Sequence, residues 1–439
     1  MLIEFTLGNY RSFREPQTLS MVASSLKSKD PNLDENSVIQ VANNPSLLTS
    51  AAVYGANASG KSNLVQAIAF MRSFVLNSAA GTSTTGGIDV EPFRLNTSTL
   101  NQPSHFEILF VESGKRYRYG FEATTERVTA EWLYFVPSTR EARLFEREDD
   151  QIDVGNYFKE EGRDLAQHTR PNALFLSVVA QFNGPIAQKL VTWFRRLEVI
   201  SRLDELDIFL RILTLAQFLA GEQGQAIRNL IGRLDLGITD LQVEKAAGPK
   251  TQPAAGILKE MGREYLHVAG TPETEQLYVR TVHTRYDDKG NPAGEELFNL
   301  VEHESDGTQK LFALSGLLLA ALQAGGMLIV DELDVRLHPL LTREIIALFN
   351  KQRTKNVHKA QLIFTSHDTN LLDNSLFRRD QIWFVEKDQK GASHLYSLAE
   401  FKVRNDKDYE RGYIQGRYGA IPYLSHIQTI VSGGYGEKA

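Results

Sequence analysis

The sequence predicts an α/β fold in which a mostly parallel sheet flanked by helices is joined to a β-rich lobe and carries a helical insert. Three observations predict it. Between Leu47 and Val75 an apolar strand runs directly into a glycine-rich loop and then into residues of helical spacing. Strands and helices alternate through the last third of the chain, which implies parallel strands with helices on both faces. Between these regions, Phe106 to Phe135 reads as successive short strands with no helical period.

The elements follow from local pattern. Leu2, Ile3, Phe5 and Leu7 mark a first strand, Asn9 to Phe13 a turn, and Gln17 to Val22 a second short strand. The polar, turn-rich segment Ser24 to Asn44 reads as a surface loop. Leu47 to Tyr54 is a buried strand, and Leu64, Ile68, Met71 and Val75 keep the spacing of a helix that opens at the glycine loop. Ala79 to Gly87, rich in Gly, Ser and Thr, reads as a mobile loop. Phe106 to Phe110, Tyr117 to Phe121 and Trp132 to Phe135 are strands, the first two joined at Glu112-Ser113-Gly114-Lys115.

Residues 185–235 switch to a helical pattern through Leu190, Trp193, Phe194, Leu210, Leu213 and Phe218, without the sustained heptad of a coiled coil. Leu277 to Tyr286 and Glu296 to Val301 form a hairpin around Asp288 to Asn291. Leu311 to Leu322 is apolar almost all round and is therefore a buried helix. Gly325-Gly326 ends it, and Met327 to Val330, Leu362 to Phe364 and Ile382 to Val385 are buried strands. Pro339 stands where a helix begins, a position at which its missing N–H costs nothing. The pattern divides the chain into residues 1–180, an insert at 181–270 and residues 271–439; no internal repeat is present.

Bulk properties exclude several classes. A chain of 439 residues is long enough for two to three domains. Its hydrophobic share of 42% and charged share of 23% are those of a globular protein rather than a disordered one. A net charge of −6 does not advertise a nucleic-acid surface, although a local basic groove is compatible with it. With no cysteine, disulfides, thiolate zinc sites and thiol nucleophiles are excluded. The start, Met1-Leu2-Ile3-Glu4-Phe5, is not a signal peptide, and the most apolar stretch is too short to span a bilayer, which needs about 20 residues. A soluble cytoplasmic protein with no membrane partner is expected.

Four motifs carry chemistry. Gly55-Ala56-Asn57-Ala58-Ser59-Gly60-Lys61-Ser62 matches the phosphate-binding pattern G-x-x-x-x-G-K-[ST]. Its backbone amides, through Asn57, Ala58 and Ser59 to Asn63, wrap phosphate oxygens at a helix N-terminus. Lys61 reaches the β- and γ-phosphates and the Ser62 hydroxyl ligates Mg²⁺. The strand Met327 to Val330 ends in Asp331 and Glu332, the arrangement in which Asp331 holds Mg²⁺ and Glu332 is the base for the attacking water. Leu362 to Asp368 is a strand that delivers His367, 36 residues after Asp331; a lone histidine at a strand end is usually structural, but this order makes it a candidate for the γ-phosphate contact seen in ABC-type sites. Glu304-Ser305-Asp306-Gly307-Thr308-Gln309-Lys310, just before the buried helix, is by itself a plain polar N-cap; in sequence order with the other motifs it offers a hydroxyl and helix N-terminal amides to the nucleotide of a second protomer. Leu333-Asp334 continues the second motif as a D-loop, with Asp334 near the nucleotide. The turn Asn9 to Phe13 folds back toward it, and Arg11 is a candidate phosphate or base contact, or else a solvated arginine.

This order of motifs resembles the SMC/RecF/OLD-like ABC ATPases. More narrowly, Thr49 to Asn63, Arg170 to Ser177, Ser305 to Thr308 and Gly416 to Tyr423 are similar to the AAA-type ATP/GTPases called RloA or AbiLi. The resemblance covers essentially the whole chain. It implies an ABC/SMC-type ATPase head using ATP and Mg²⁺, a homodimer or higher oligomer, and an anti-phage or abortive-infection role beside a separate effector, frequently a nuclease. Two departures stand out. Glu304 and Asp306 replace Leu and the first Gly of Leu-Ser-Gly-Gly-Gln if Ser305 matches Ser, whereas matching Gly307 to that first Gly puts Asp306 at the Ser position. The Q-loop falls either at Gln102 or at Pro92-Phe93-Arg94. Only 72 residues follow His367, so no intrinsic nuclease is expected. A RecF-like DNA-maintenance ATPase is the alternative reading. A transporter subunit fits poorly with the amino-terminal strand-turn and the 243 residues between Ser62 and Ser305.

Overall fold

Five short, β-branched and apolar segments assemble into one buried parallel sheet, because burial on both faces favours near-continuous apolar runs. In the computed structural model its order is Leu197–Ile200, Met327–Val330, Gln361–Thr365, Ser50–Tyr54 and Ile382–Lys387, with Ser393–Ser397 added antiparallel at one edge. Structure is described for residues 1–80, 86–201, 203–219, 221–234, 237–246, 276–351, 359–402 and 408–422. Alternate side chains of each strand point to opposite faces. Ala51, Val53, Met327, Ile329, Ile363, Trp383 and Val385 therefore join one core, and Ala52, Tyr54, Leu328, Val330, Leu362, Phe364, Ile382 and Phe384 the other.

The first core also takes in a seven-stranded antiparallel sheet, in the order Gln151–Val154, Ala142–Glu148, Val128–Phe135, Lys115–Ala123, Ser104–Glu112, Leu2–Gly8 and Gln17–Ser20. The helix Lys61–Asn77 packs into this core, its Phe70 and Phe74 reaching Phe106 and Phe121 at 5.0 and 5.4 Å between ring centroids. The fully buried Glu131 receives the amides of Phe175 and Leu176 at 2.6 and 3.0 Å, which docks the stretch Arg170 to Ser177 onto the lobe. The second core holds the helices Asp306–Ala324 and Pro339–Asn350. The helix Tyr409–Ile414 closes it: Tyr413 stacks on Phe384 and approaches Tyr54, the residue just before the glycine loop.

Most expected elements are present, and the differences have local causes. The expected loop Ser24 to Asn44 contains the helix Pro31–Ser37, capped by Asp30 and started by Pro31, and the strand Val38–Ile39. At seven residues that helix is too short to show an apolar stripe. The expected strand Leu47 to Tyr54 is two strands, Leu47–Leu48 paired with Val38–Ile39 and Ser50–Tyr54 in the parallel sheet. The helical pattern over 185–235 covers the helices Pro185–Arg195, Leu203–Leu219 and Glu222–Gly232 but is broken by Leu197–Ile200, the edge strand beside Met327–Val330. A strand of four residues between helices leaves no period of its own. Gln276–Tyr286 and Pro292–Asn299 form the expected hairpin, and Gln276–Tyr286 also pairs with Ile238–Ala246; Leu300 and Val301, expected in the second strand, instead begin the short helix Leu300–His303, capped by the Asn299 side chain. Residues 81–85 of the expected mobile loop, residues 202, 220, 235, 236 and 247–270 of the insert, and Tyr423 lie outside the described residues. No helix of the described residues is long and apolar enough to cross a membrane.

Candidate active site

Parallel strands deliver everything that follows them to one edge of the sheet, and ligands of open α/β sheets bind beyond that carboxyl edge. Ser50–Tyr54 leads into the glycine loop, Met327–Val330 into Asp331 and Glu332, and Gln361–Thr365 into Ser366 and His367. Adjacent strands thus bring together three of the sequence motifs.

The loop is fixed by close backbone approach. Gly60 has φ +119°, and a Cβ there would lie 2.3 Å from Ser393 Oγ and 2.8 Å from Ser12 Oγ. No other residue fits, since φ > 0 and the contact both exclude a side chain. Ala58 is also left-handed at φ +60°. Ser393 Oγ donates to the Ser59 carbonyl at 2.5 Å, and Asn63 Nδ2 donates to Ser12 Oγ at 2.7 Å. Lys61 folds over the loop, its Nζ donating to the carbonyls of Gly55 and Ala56 at 2.9 and 3.1 Å. Burial lowers its pKa to about 8, against the upward pull of Asp331, Glu332 and Asp334. Those three carboxylates therefore act on the lysine that should meet phosphate.

Thr365, fully buried, organises the two acids. Its Oγ1 donates to Asp331 Oδ1 at 2.6 Å and accepts the Glu332 amide at 2.7 Å. Glu332 has φ +52°, a conformation that costs a non-glycine residue about 1–2 kcal/mol. His367 Nε2 stands 3.8 Å from Glu332 Oε1, and the His367 amide donates to Asp334 Oδ2 at 3.3 Å. Desolvation, then the Lys61 charge, lowers the His367 pKa below its usual value, so the ring is neutral near pH 7 and able to donate one N–H.

The Ser305 Oγ caps the helix Asp306–Ala324 by accepting the Thr308 amide at 3.2 Å. Ser305 is exposed and Gly307 half-buried. A Cβ on Gly307 would lie 2.5 Å from the Arg336 carbonyl, so this helix start abuts the loop that follows Glu332. Arg11, at φ +50°, pairs with Glu91 at 3.2 Å and bonds Gln66 on the helix Lys61–Asn77. Its turn lies on the phosphate-loop helix, with the guanidinium occupied by protein partners. Both Q-loop candidates are held by one side chain: Asn9 accepts the Phe93 amide at 3.0 Å and donates to the Gln102 carbonyl at 2.9 Å.

Sequence reasoning missed Thr365, Ser393, Asn9 as an organiser and the role of Lys310. Only Lys310 left a signal, as a lysine at the start of an otherwise apolar helix.

The donors suit Mg²⁺ with a nucleotide. Ser59 Oγ and Asp334 Oδ1 are buried and have no protein partner, and both sit on the loops of this edge. Ser62 and Asp331 carry hard oxygens, the donor type that Mg²⁺ takes while keeping water and phosphate oxygens as its other ligands.

No protein of curated function matches the chain in sequence. A family model described as "AAA domain, putative AbiEii toxin, Type IV TA system" matches residues 50–373, from the strand before the glycine loop to just past His367, and the chain belongs to that family of AAA-type P-loop ATPases.

Proposed function

We propose that the chain hydrolyses ATP as a head-to-head dimer and that hydrolysis regulates a separate effector, in abortive-infection or toxin–antitoxin defence against phage. Each site would combine Lys61, Ser62, Asp331 and Glu332 of one protomer with Ser305 and Gly307 of the other. The observation that carries the reading is Glu332, held left-handed by Thr365, with His367 beside it and Lys61 in its field. An exposed helix N-terminus at Ser305 supports the dimer, because its amides favour an anion and its own contacts are with Thr308 and the Arg336 loop. Exposed apolar residues stand just before it and on the loop it touches and the helix that follows that loop: Val301, Val335 and Leu340 are 57%, 37% and 65% exposed.

In this site the loop amides and Lys61 hold the β- and γ-phosphate oxygens. Glu332 orients the water and takes its proton as the oxygen attacks phosphorus, releasing ADP and inorganic phosphate. His367 donates to a γ-phosphate oxygen, and Asp334 accepts the His367 amide, fixing the two loops against each other. Mg²⁺ held by Ser62 and Asp331 would neutralise charge on the phosphates.

Glu332→Gln is the test. Phosphate release should fall by about 10²–10⁴-fold, ATP should remain bound, and light scattering should show a longer-lived dimer. Wild-type turnover in this variant would sink the assignment. Recovery of a stoichiometric effector with the tagged chain supports the regulatory reading. ATP-dependent, salt-sensitive retention of duplex DNA by the chain alone would favour the DNA-maintenance reading instead.

A further inference from the structure

Lys310 stands where the apolar side of a helix should be. The helix Asp306–Ala324 buries Leu311, Phe312, Leu314, Leu317 and Leu318, and Lys310 is buried with them at 5% exposure. Its Nζ donates to the carbonyls of Glu332 at 3.1 Å, Leu333 at 3.0 Å and Val335 at 2.6 Å. An ammonium has three donors and no acceptor, so three converging carbonyls suit it and hold it in one place. Two further contacts join the same helix to the same loop. Gly307 approaches the Arg336 carbonyl too closely for a Cβ, and Arg336 Nε lies 4.0 Å from Asp306 Oδ2.

Glu332 is thereby gripped from both sides. Its amide is held by Thr365 from the strand that leads to His367, and its carbonyl by Lys310 from the helix that begins at Ser305. A residue in a strained left-handed conformation keeps it only when its surroundings over-determine it, and these two bonds do so.

We propose that Lys310 is a positioning residue that makes the Ser305 helix and the Glu332 backbone one rigid unit, so that engagement of that helix by the nucleotide of the opposite protomer sets the aim of Glu332. The second half rests on the dimer reading above. In a two-fold dimer the coupling is mutual: ATP in one site presses on the helix whose lysine positions the glutamate of the other site. Turnover is then positively cooperative in ATP. Arginine is only a partial substitute, since it keeps the charge but its planar fork cannot direct donors at three carbonyls surrounding a point.

The test uses full-length Lys310→Met and Lys310→Arg, the second because it keeps a cation among the carbonyls should the first fail to fold. A displacement of the glutamate on the ångström scale costs up to about 100-fold in rate. Turnover is therefore expected to fall by about 10- to 100-fold in Lys310→Met and by less in Lys310→Arg, with ATP affinity, measured in a Glu332→Gln background, within about two-fold of the parent. The wild type is expected to show a Hill coefficient above 1, and both variants a value of about 1. Wild-type turnover in a folded Lys310→Met overturns the positioning role. A wild type with no cooperativity, although Glu332→Gln dimerises with ATP, overturns the coupling. Failure of Glu332→Gln to dimerise sinks the dimer reading and the coupling with it, and the turnover of Lys310→Met still decides the positioning role.

Discussion

Lys61 is a cation that burial has made easier to deprotonate, and this has a consequence for pH. Its folded pKa of about 8 lies below the 10.5 of an unperturbed lysine. The unfolded chain therefore holds the proton at pH values where the folded chain has lost it, and this group raises stability as pH climbs from about 8 to about 10.5. Phosphate reverses the preference by stabilising the ammonium. ATP binding should take up almost no proton at about pH 7 and close to one at about pH 9.5, with affinity falling in between. Calorimetry in buffers of different ionisation enthalpy measures that uptake, and a flat profile would contradict it. The placement of Asp331, Glu332 and His367 at one edge of the sheet was legible because each follows a short apolar strand. Thr365 was not, because its role is a hydroxyl position between two neighbouring chain segments, which no spacing encodes.

The turn from Asn9 to Phe13 shows how a short element positions a site. Asn9 is buried, and its side chain bonds the carbonyls of Thr99, Gln102 and Pro103 and the amide of Phe93. The loop between Phe93 and Ser104 thus takes its shape from a turn some ninety residues earlier. Asn9→Ala leaves buried carbonyls and one amide without partners, at about 1–3 kcal/mol for each group not reached by water. The denaturant midpoint should drop with an unchanged slope, and ATP affinity should weaken because Ser12 in the same turn supports Gly60. An unchanged midpoint would show that the loop is held elsewhere. The strand Leu197–Ile200 teaches the complementary lesson. Four residues carry too little period to be read, yet the Ile200 carbonyl accepts the amide of Asp331 at 2.8 Å and so helps to seat the acid.

At the scale of the whole molecule, the dimer reading depends on a surface that stays exposed in the single chain. Leu340 lies in the first turn of the helix Pro339–Asn350, just after the loop that follows Glu332, and is 65% exposed. A charge there has little to disturb within the fold, since surface changes are usually within about 0.5 kcal/mol. Buried between two protomers it would be costly. Leu340→Asp in the Glu332→Gln background should bind ATP normally yet remain monomeric by light scattering. An ATP-induced dimer that persists would place the interface on another face.

The sequence alone determined the strands that lead into Gly55, Asp331 and His367 and the alternation that builds the parallel sheet, because each depends on local periodicity. Only the tertiary structure decided which groups hold these residues in place. Thr365 beneath the acids, Lys310 on the D-loop carbonyls, Ser393 against Gly60 and Asn9 across its loop all act through contacts between segments distant in the chain, and such contacts depend on three-dimensional proximity rather than on sequence spacing.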